Sequence, residues 1–343
     1  MMTTKLSRPA VPAGAAPGQA GMQAIVQHRY GTTPGDVLKL QRIATPAIAA
    51  NEVLVRVRAA GVDRGTWHLM AGQPYLMRLL GFGLRGPKDP VPGLDVAGTV
   101  VATGADVTGF RAGDEVFGIA RGSFAEYAAA RADTLARKPD RLSFEQAAAV
   151  AVSGLAALQG LRAGRIHAGQ KVLVIGASGG VGSYAVQLAK AFGAEVTGVC
   201  STGKTDLVRS LGADHVIDYT ADDFADGRQH YDLILDIGGN SRLARLRRAL
   251  TPTGTLVMAG GEGARWTGIS RQLGALMLSA FVRQRLTMYI SRHRHADLDT
   301  LRQLTGTGQV TPVIGRTYPL TGAPQAIRDL HAGHARGKIA LTI

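Results

Sequence analysis

Apolar and charged residues alternate along Glu52-Val-Leu-Val-Arg-Val-Arg-Ala-Ala60. This period of two predicts a strand in a sheet that is wet on one face. Residues 22–28 also read as a strand, and short strands are expected near 96–103 and 114–119, separated by turn pairs such as Pro92-Gly93 and Gly113-Asp114. The first 140 residues therefore read as mostly β, a small twisted barrel. At residue 143 the period changes. Ser143 with Gln146 three residues later has the spacing of a capping box, and predicts a helix over 143–160. From residue 171 strands and helices alternate. Strands are expected at 171–175, 195–200, 216–217, 231–236 and 254–259, with helices at 180–192 and about 204–211 between the first of them. Apolar strands spaced by helices specify a parallel sheet covered on both faces. Short strands return from about residue 306 and end with Lys338-Ile-Ala-Leu-Thr-Ile343.

The junction of the first parallel strand with its helix reads Gly176-Ala177-Ser178-Gly179-Gly180-Val181-Gly182. Ala177, Gly179 and Gly182 keep the spacing of the G-x-G-x-x-G fingerprint, with Ala for the first Gly. Small residues permit the tight turn, Gly179 admits a pyrophosphate close to the backbone, and Gly182 lets helix and strand touch. The pyrophosphate then meets free N–H groups at the positive end of the helix. An enzyme using NAD carries an acid at the end of the second strand to bind the ribose. Here the segment is Ser201-Thr202-Gly203-Lys204, with no acid before Asp206. Hydroxyls and an ammonium suit a 2′-phosphate, so the expected cofactor is NADPH.

Length and composition narrow the picture. With 343 residues, two domains are the default expectation. A single cysteine, Cys200, excludes a disulfide framework and a Cys-rich structural zinc site. No apolar run reaches the length of a membrane span. The Pro/Ala/Gly-rich stretch 1–21 has no signal-peptide core and reads as a disordered tail, so a cytoplasmic home is expected. The net charge is +14. Because the arginines are spread and no base-reading module accompanies them, solvated faces and attraction for phosphorylated ligands are expected, with no specific nucleic-acid partner.

The chain resembles the medium-chain dehydrogenase/reductase superfamily, in its zinc-free quinone oxidoreductase-like branch. The resemblance spans about residues 22–343. It rests on Ala60-Gly-Val-Asp63, Val91-Pro-Gly-Leu-Asp-Val-Ala-Gly98, Gly113-Asp-Glu-Val-Phe-Gly118, Gly122-Ser-Phe-Ala-Glu-Tyr127, Ala148-Ala-Val-Ala-Val-Ser-Gly154, the Gly-rich turn, and Leu211-Gly-Ala-Asp-His-Val-Ile-Asp-Tyr219. It implies an α/β protein: a GroES-like β-barrel catalytic domain (22–142 and 306–343) plus a doubly wound Rossmann domain (143–305), with the substrate cleft between them. It also implies a homodimer, with 285–290 as the edge strand that such dimers pair. The places where zinc-dependent relatives hold Cys and His correspond to Asp63 and Leu94, so no metal is expected.

Without a metal, the chemistry rests on orientation and on a donor to the developing charge. The segment matching the cleft of zinc-free relatives is 63–68, and Asp63 and His68 stand where those relatives often hold Asn and Tyr. Asp63 and His68 are the catalytic candidates, His68 as proton donor and Asp63 as its orienter or as a ribose contact. Arg64, Trp67 and Tyr75 are expected to line the cleft. By resemblance, Ser153, Tyr219 and Lys338 lie near the cofactor, and Gly238, Gly260 and Gly261 follow later strands at the sheet edge where ligands collect. Over 266–282, Trp266, Ile269, Leu273, Leu276, Met277 and Phe281 recur at helical spacing between arginines. This stretch reads as an apolar flap over the cleft or dimer seam, with a membrane-surface helix as the alternative. The expected activity is NADPH-dependent hydride transfer to a small lipophilic electrophile, a quinone or an enone. The alternatives are a zinc-free alcohol/carbonyl oxidoreductase and a non-catalytic NADPH-sensing or RNA-binding protein.

Overall fold

The computed structural model describes residues 21–76, 78–259 and 270–343. The expected tail over 1–21 lies almost wholly outside these residues, as do Gly260, Gly261, Trp266 and Ile269.

Two sheets organise the described residues. The first is built on the strand Glu52–Val62. Along its main path the order is Ile314–Pro319, Lys338–Thr342, Glu52–Val62, Asp95–Thr103, Glu115–Ile119 and Leu135–Arg137, and Tyr127–Arg131 also pairs with Glu52–Val62. Neighbours run antiparallel except for Ile314–Pro319 against Lys338–Thr342. Burial alternates only in the middle of this strand: Val55 and Val57 are buried while Arg56 and Arg58 face water, but Glu52 and Leu54, on the side read as wet, are buried as well. The strand Gly21–Val26 pairs with Lys39–Ala44, whose mixed sequence has no strict period of two and is almost wholly exposed.

The second sheet is parallel, in the order His215–Asp218, Glu195–Cys200, Lys171–Ile175, Tyr231–Asp236, Leu250–Met258 and Arg285–Met288. The winding direction reverses at Lys171–Ile175, so a crevice opens beyond the carboxyl ends of that strand and Tyr231–Asp236, the usual ligand position in such sheets.

The expected helix over 143–160 is split. Phe144–Ala148 begins with the capping box, Ser143 Oγ accepting from Gln146 N at 3.2 Å and Gln146 Oε1 from Ser143 N at 3.0 Å. A second helix, Ala151–Ala163, follows. At the break, two groups from elsewhere take backbone bonds: Tyr184 Oη donates to Ala149 O, and Asp95 Oδ1 accepts from Val152 N. The second helix joins the sheets. Its Leu155, Leu158 and Leu161 share one buried cluster with Ala59, Ala97 and Phe117 on one side and Val172, Val174 and Tyr184 on the other. Each such leucine contributes about 1.5–3 kcal/mol by leaving water, which ties the sheets into one core.

Candidate active site and nucleotide crevice

The Gly-rich turn starts at Gly176, whose φ of +87° suits glycine. Gly176 N and Ala177 N both donate to Val199 O, tethering the turn to the neighbouring strand. The helix Gly180–Ala191 then begins without a side-chain cap on Gly179, and its first bond runs from Ser183 N to Gly179 O. The N–H groups of residues 180–182 are therefore outside the helical ladder and aimed past its end, as a pyrophosphate requires. A β-carbon on Gly182 would lie 2.1 Å from Gly176 O, so only glycine keeps the helix on the strand. Gly238 N bonds Ile175 O across the switch point, which puts Gly238 beside the turn. This cradle fits a dinucleotide.

At the end of Glu195–Cys200 the hydroxyls of Thr202 and Thr220 lie 3.0 Å apart. Lys204 does not stand alone: its Nζ donates to Gly333 O at 2.7 Å and Ala335 O at 2.8 Å. Burial, and then the charge of Arg336, lower its pKa. Arg336 bonds Gly203 O at 2.8 Å and Asp206 Oδ2 at 2.6 Å. Asp206 is thereby engaged by a cation. Ser201 opens the short turn over Thr202–Lys204, and Tyr219, 58% exposed, follows the next strand with its N–H on Cys200 O. Arg336 was not foreseen, because its only signal is spatial: it lies 130 residues from Asp206.

Lys338 lies behind the turn. It is 1% exposed and its Nζ is 2.8 Å from Oδ2 of Asp95, itself 0% exposed. A β-carbon on Gly180 would stand 3.0 Å from Lys338 Cδ and 3.2 Å from Ser153 Oγ, so both side chains back the nucleotide turn. Burial pushes the Asp95 carboxyl above the usual range, while the Lys338 ammonium opposes that rise. Sequence reading missed Asp95, although it sits inside the Val91–Gly98 motif.

In the barrel, Asp63 caps the helix Arg64–Ala71, its Oδ1 accepting from Thr66 N at 2.9 Å. Its Oδ2 is buried without a hydrogen-bond partner, as is Thr66 Oγ1. Buried oxygens left in this way call for a ligand or water to complete them. A cavity of about 480 Å³ opens in this domain, lined by neither Asp63 nor Thr66; its wall includes Tyr30, His68, Met70, Phe82, Val91, Leu94, Arg121 and His293. Its lining is mainly apolar. His68 Nδ1 lies 3.1 Å from Gln73 O, so that nitrogen carries a proton. Burial lowers the pKa of His293.

Of the candidates expected at the cleft, His68 lines this wall, while Asp63, Arg64, Trp67 and Tyr75 do not. Trp67 stacks on His331, with ring centroids 4.1 Å apart. Arg64 reaches toward His331 O at 3.4 Å. Tyr75 packs against the guanidinium of Arg78, which itself lines the cavity. Arg64 and Trp67 both turn toward His331, a distinction invisible without knowing which helical face turns inward. Leu94 does stand in the wall, and among the described residues no three His, Cys, Asp or Glu side chains gather as a metal would need. Cys200 is buried, and burial raises its thiol pKa. No helix among the described residues is long and apolar enough to cross a membrane.

Comparison with known proteins agrees with this architecture. Residues 49–140 match the alcohol dehydrogenase GroES-like domain and residues 211–341 the zinc-binding dehydrogenase family. The chain is 32% identical to the quinone oxidoreductase of Sus scrofa, over 96% of this chain and 100% of that protein. It is 32% identical to a chloroplastic NADPH-dependent alkenal/one oxidoreductase of Arabidopsis thaliana, over 93% of this chain and 79% of that protein. The solved quinone oxidoreductase of Coxiella burnetii superposes with a TM-score of 0.84 at 29% identity, covering 94% of this chain and 100% of that one. The chain thus belongs to the medium-chain dehydrogenase/reductase superfamily, as an α/β oxidoreductase with a GroES-like domain, a Rossmann-like parallel sheet and a nicotinamide cofactor.

Proposed function

We propose that this chain is a zinc-independent, NADPH-dependent reductase of quinones or of the activated double bond of enones. The observation that carries the reading is the cavity: its wall is mainly apolar, and both Leu94 and His68 line it. The names of the porcine and Arabidopsis relatives favour the same substrates and cofactor. Residues 22–142 with 306–343 would form the catalytic domain and 143–305 the nucleotide domain.

Residues 176–182 and Gly238 would hold the pyrophosphate and adjacent ribose, with Ser153 and Lys338 supporting the turn from behind. Ser201, Thr202, Lys204, Tyr219 and Arg336 would surround the 2′-phosphate. Asp63 Oδ2 would accept from a ribose hydroxyl. When bound, the nicotinamide supplies a hydride to the electron-poor carbon of the substrate. The apolar wall excludes water from that carbon and orients a lipophilic substrate. As charge develops on the substrate oxygen, His68 in its imidazolium form would donate the Nε2 proton, Nδ1 staying on Gln73 O, and water would restore that proton. A single cysteine suits a reducing compartment such as the cytoplasm. Arg285–Met288, at the edge of its sheet, suits pairing in a homodimer.

The test is NADPH oxidation followed at 340 nm with chelator-treated protein, against quinones, enones and aldehydes, with NADH in parallel. Turnover of quinones or enones with a strong NADPH preference is expected. Turnover of aldehydes alone would favour the alcohol/carbonyl reading, a requirement for added zinc would overturn the metal-free one, and tight NADPH binding without turnover would favour a sensor.

A further inference from the structure

The cavity mouth carries an unusual loop. Within six residues, Leu79, Phe82 and Leu84 are 73%, 46% and 67% exposed. Apolar side chains concentrated in this way mark an interaction site more often than bare surface. The loop is held in place from its base: Tyr30 Oη donates to Phe82 O at 2.9 Å and Gly83 O at 2.8 Å, and Lys88 N donates to Phe82 O. Arg78 Nε bonds Gly72 O at 2.8 Å while its guanidinium lies over Tyr30. The leucines are thus presented to solvent by a tied scaffold. Phe82 and Lys88 also belong to the cavity wall, so the exposed patch and the apolar cavity are continuous.

The charge around the patch has one dominant sign. Arg29, Arg85 and Lys88 are exposed beside it, against the single carboxylate of Asp89, in a chain of net charge +14. Apolar tips ringed by cations match the boundary of an anionic bilayer, where methylene groups enter the acyl region and ammonium or guanidinium groups meet headgroup phosphates. A protein partner would need complementary acids as well as an apolar groove; a bilayer supplies both without shape.

We propose that the 78–88 loop docks this protein peripherally on an anionic lipid surface, with the cavity mouth facing the membrane, so that a lipophilic electrophile passes from the bilayer into the cavity. The substrate route rests on the quinone/enone reading; the docking does not.

Co-sedimentation with phosphatidylcholine vesicles, with and without phosphatidylglycerol, tests the docking with neither cofactor nor substrate present. Binding to the anionic vesicles is expected, weakened by high salt. Leu79→Ser/Leu84→Ser should bind at least about tenfold more weakly, while turnover of a short, water-soluble quinone is unchanged. Leu84→Trp should shift its emission to the blue on anionic vesicles. Met277→Ser/Phe281→Ser, at two exposed apolar side chains outside the loop, should bind like the wild type. The proposal is overturned if the wild type stays in the supernatant, if the loop variant binds equally well, if binding is lost in the Met277/Phe281 variant instead, or if the loop variant changes the mass in solution, which would make the loop a subunit contact. Long-tailed quinone in vesicles tests the route: turnover should fall in the loop variant, and unchanged turnover would overturn the route while leaving docking intact.

Discussion

Replacing Lys338 by methionine removes the ammonium from an ion pair whose side chains are 1% and 0% exposed, while keeping the apolar stem that supports the turn at Gly180. Asp95 then retains only the Val152 N–H on Oδ1 among the two contacts described above. A buried charge stripped of its partner costs about 3–5 kcal/mol. For a protein of this size, that lowers the unfolding midpoint by roughly 6–10 °C, at about 2 °C per kcal/mol. The deficit should depend on pH in a defined direction. Burial already raises the Asp95 pKa and Lys338 restrains it, so without Lys338 the carboxyl rises further. A group whose folded pKa is raised contributes stability below its unfolded pKa and loses it as pH climbs through the folded one. The gap between variant and wild type should therefore be smallest near about pH 4, where the unfolded carboxyl titrates, and widen toward about pH 8. Calorimetry at several pH values measures it. Asp95→Leu/Lys338→Met, which removes both charges, should recover most of the loss. A single variant within about 1 kcal/mol of wild type, or a double variant worse than the single, would refute the buried-pair argument.

Gly182→Ala forces a β-carbon to 2.1 Å from Gly176 O, and fluorescence titration should find NADPH binding at least about tenfold weaker. Arg336→Ala removes a cation from Gly203 and Asp206, and the ratio of kcat/KM for NADPH over NADH should fall about tenfold or more, leaving kcat at saturating NADPH unchanged. An unaltered ratio would remove Arg336 from the phosphate site. His68→Gln should lower kcat/KM for enones by about a hundredfold, and an unchanged value would remove His68 as the proton donor. Cys200, whose thiol pKa is raised by burial, should react with a thiol reagent at neutral pH at least about tenfold more slowly in the native than in the denatured chain.

What could be read from the sequence was whatever is local. The alternation at 52–60, the capping box at Ser143 and the spacing of Gly176–Gly182 each declare themselves within one turn or strand, and they open a strand, a short helix and a strand-to-helix turn where expected. Elements shaped by distant partners were harder. The helix over 143–160 breaks because Tyr184 and Asp95 take its backbone, which no pattern within those residues reveals. Exposed Lys39–Ala44, with no strict alternation, is a strand whose antiparallel pairing with Gly21–Val26 no pattern within it reveals. In the candidate site, His68 lines the cavity and Asp63 caps its helix instead, while Trp67 is turned to His331 and Lys204 toward the carbonyls of Gly333 and Ala335. Arg336 and Asp95 matter through contacts spanning more than a hundred residues.

Those spans bear on the order in which the protein comes together. The contacts that close the nucleotide crevice join Lys204 to Gly333, Arg336 to Asp206 and Lys338 to Asp95, at separations of 129, 130 and 243 residues. Each must await loop closure, so the crevice is a late event in folding, after the local turns and hairpins. Gly337 N, bonded to Ser178 O, carries the last part of the barrel onto the Gly-rich turn. A cofactor bound there grips residues from both sheets, so it should fuse their unfolding into one transition and raise the midpoint of both together.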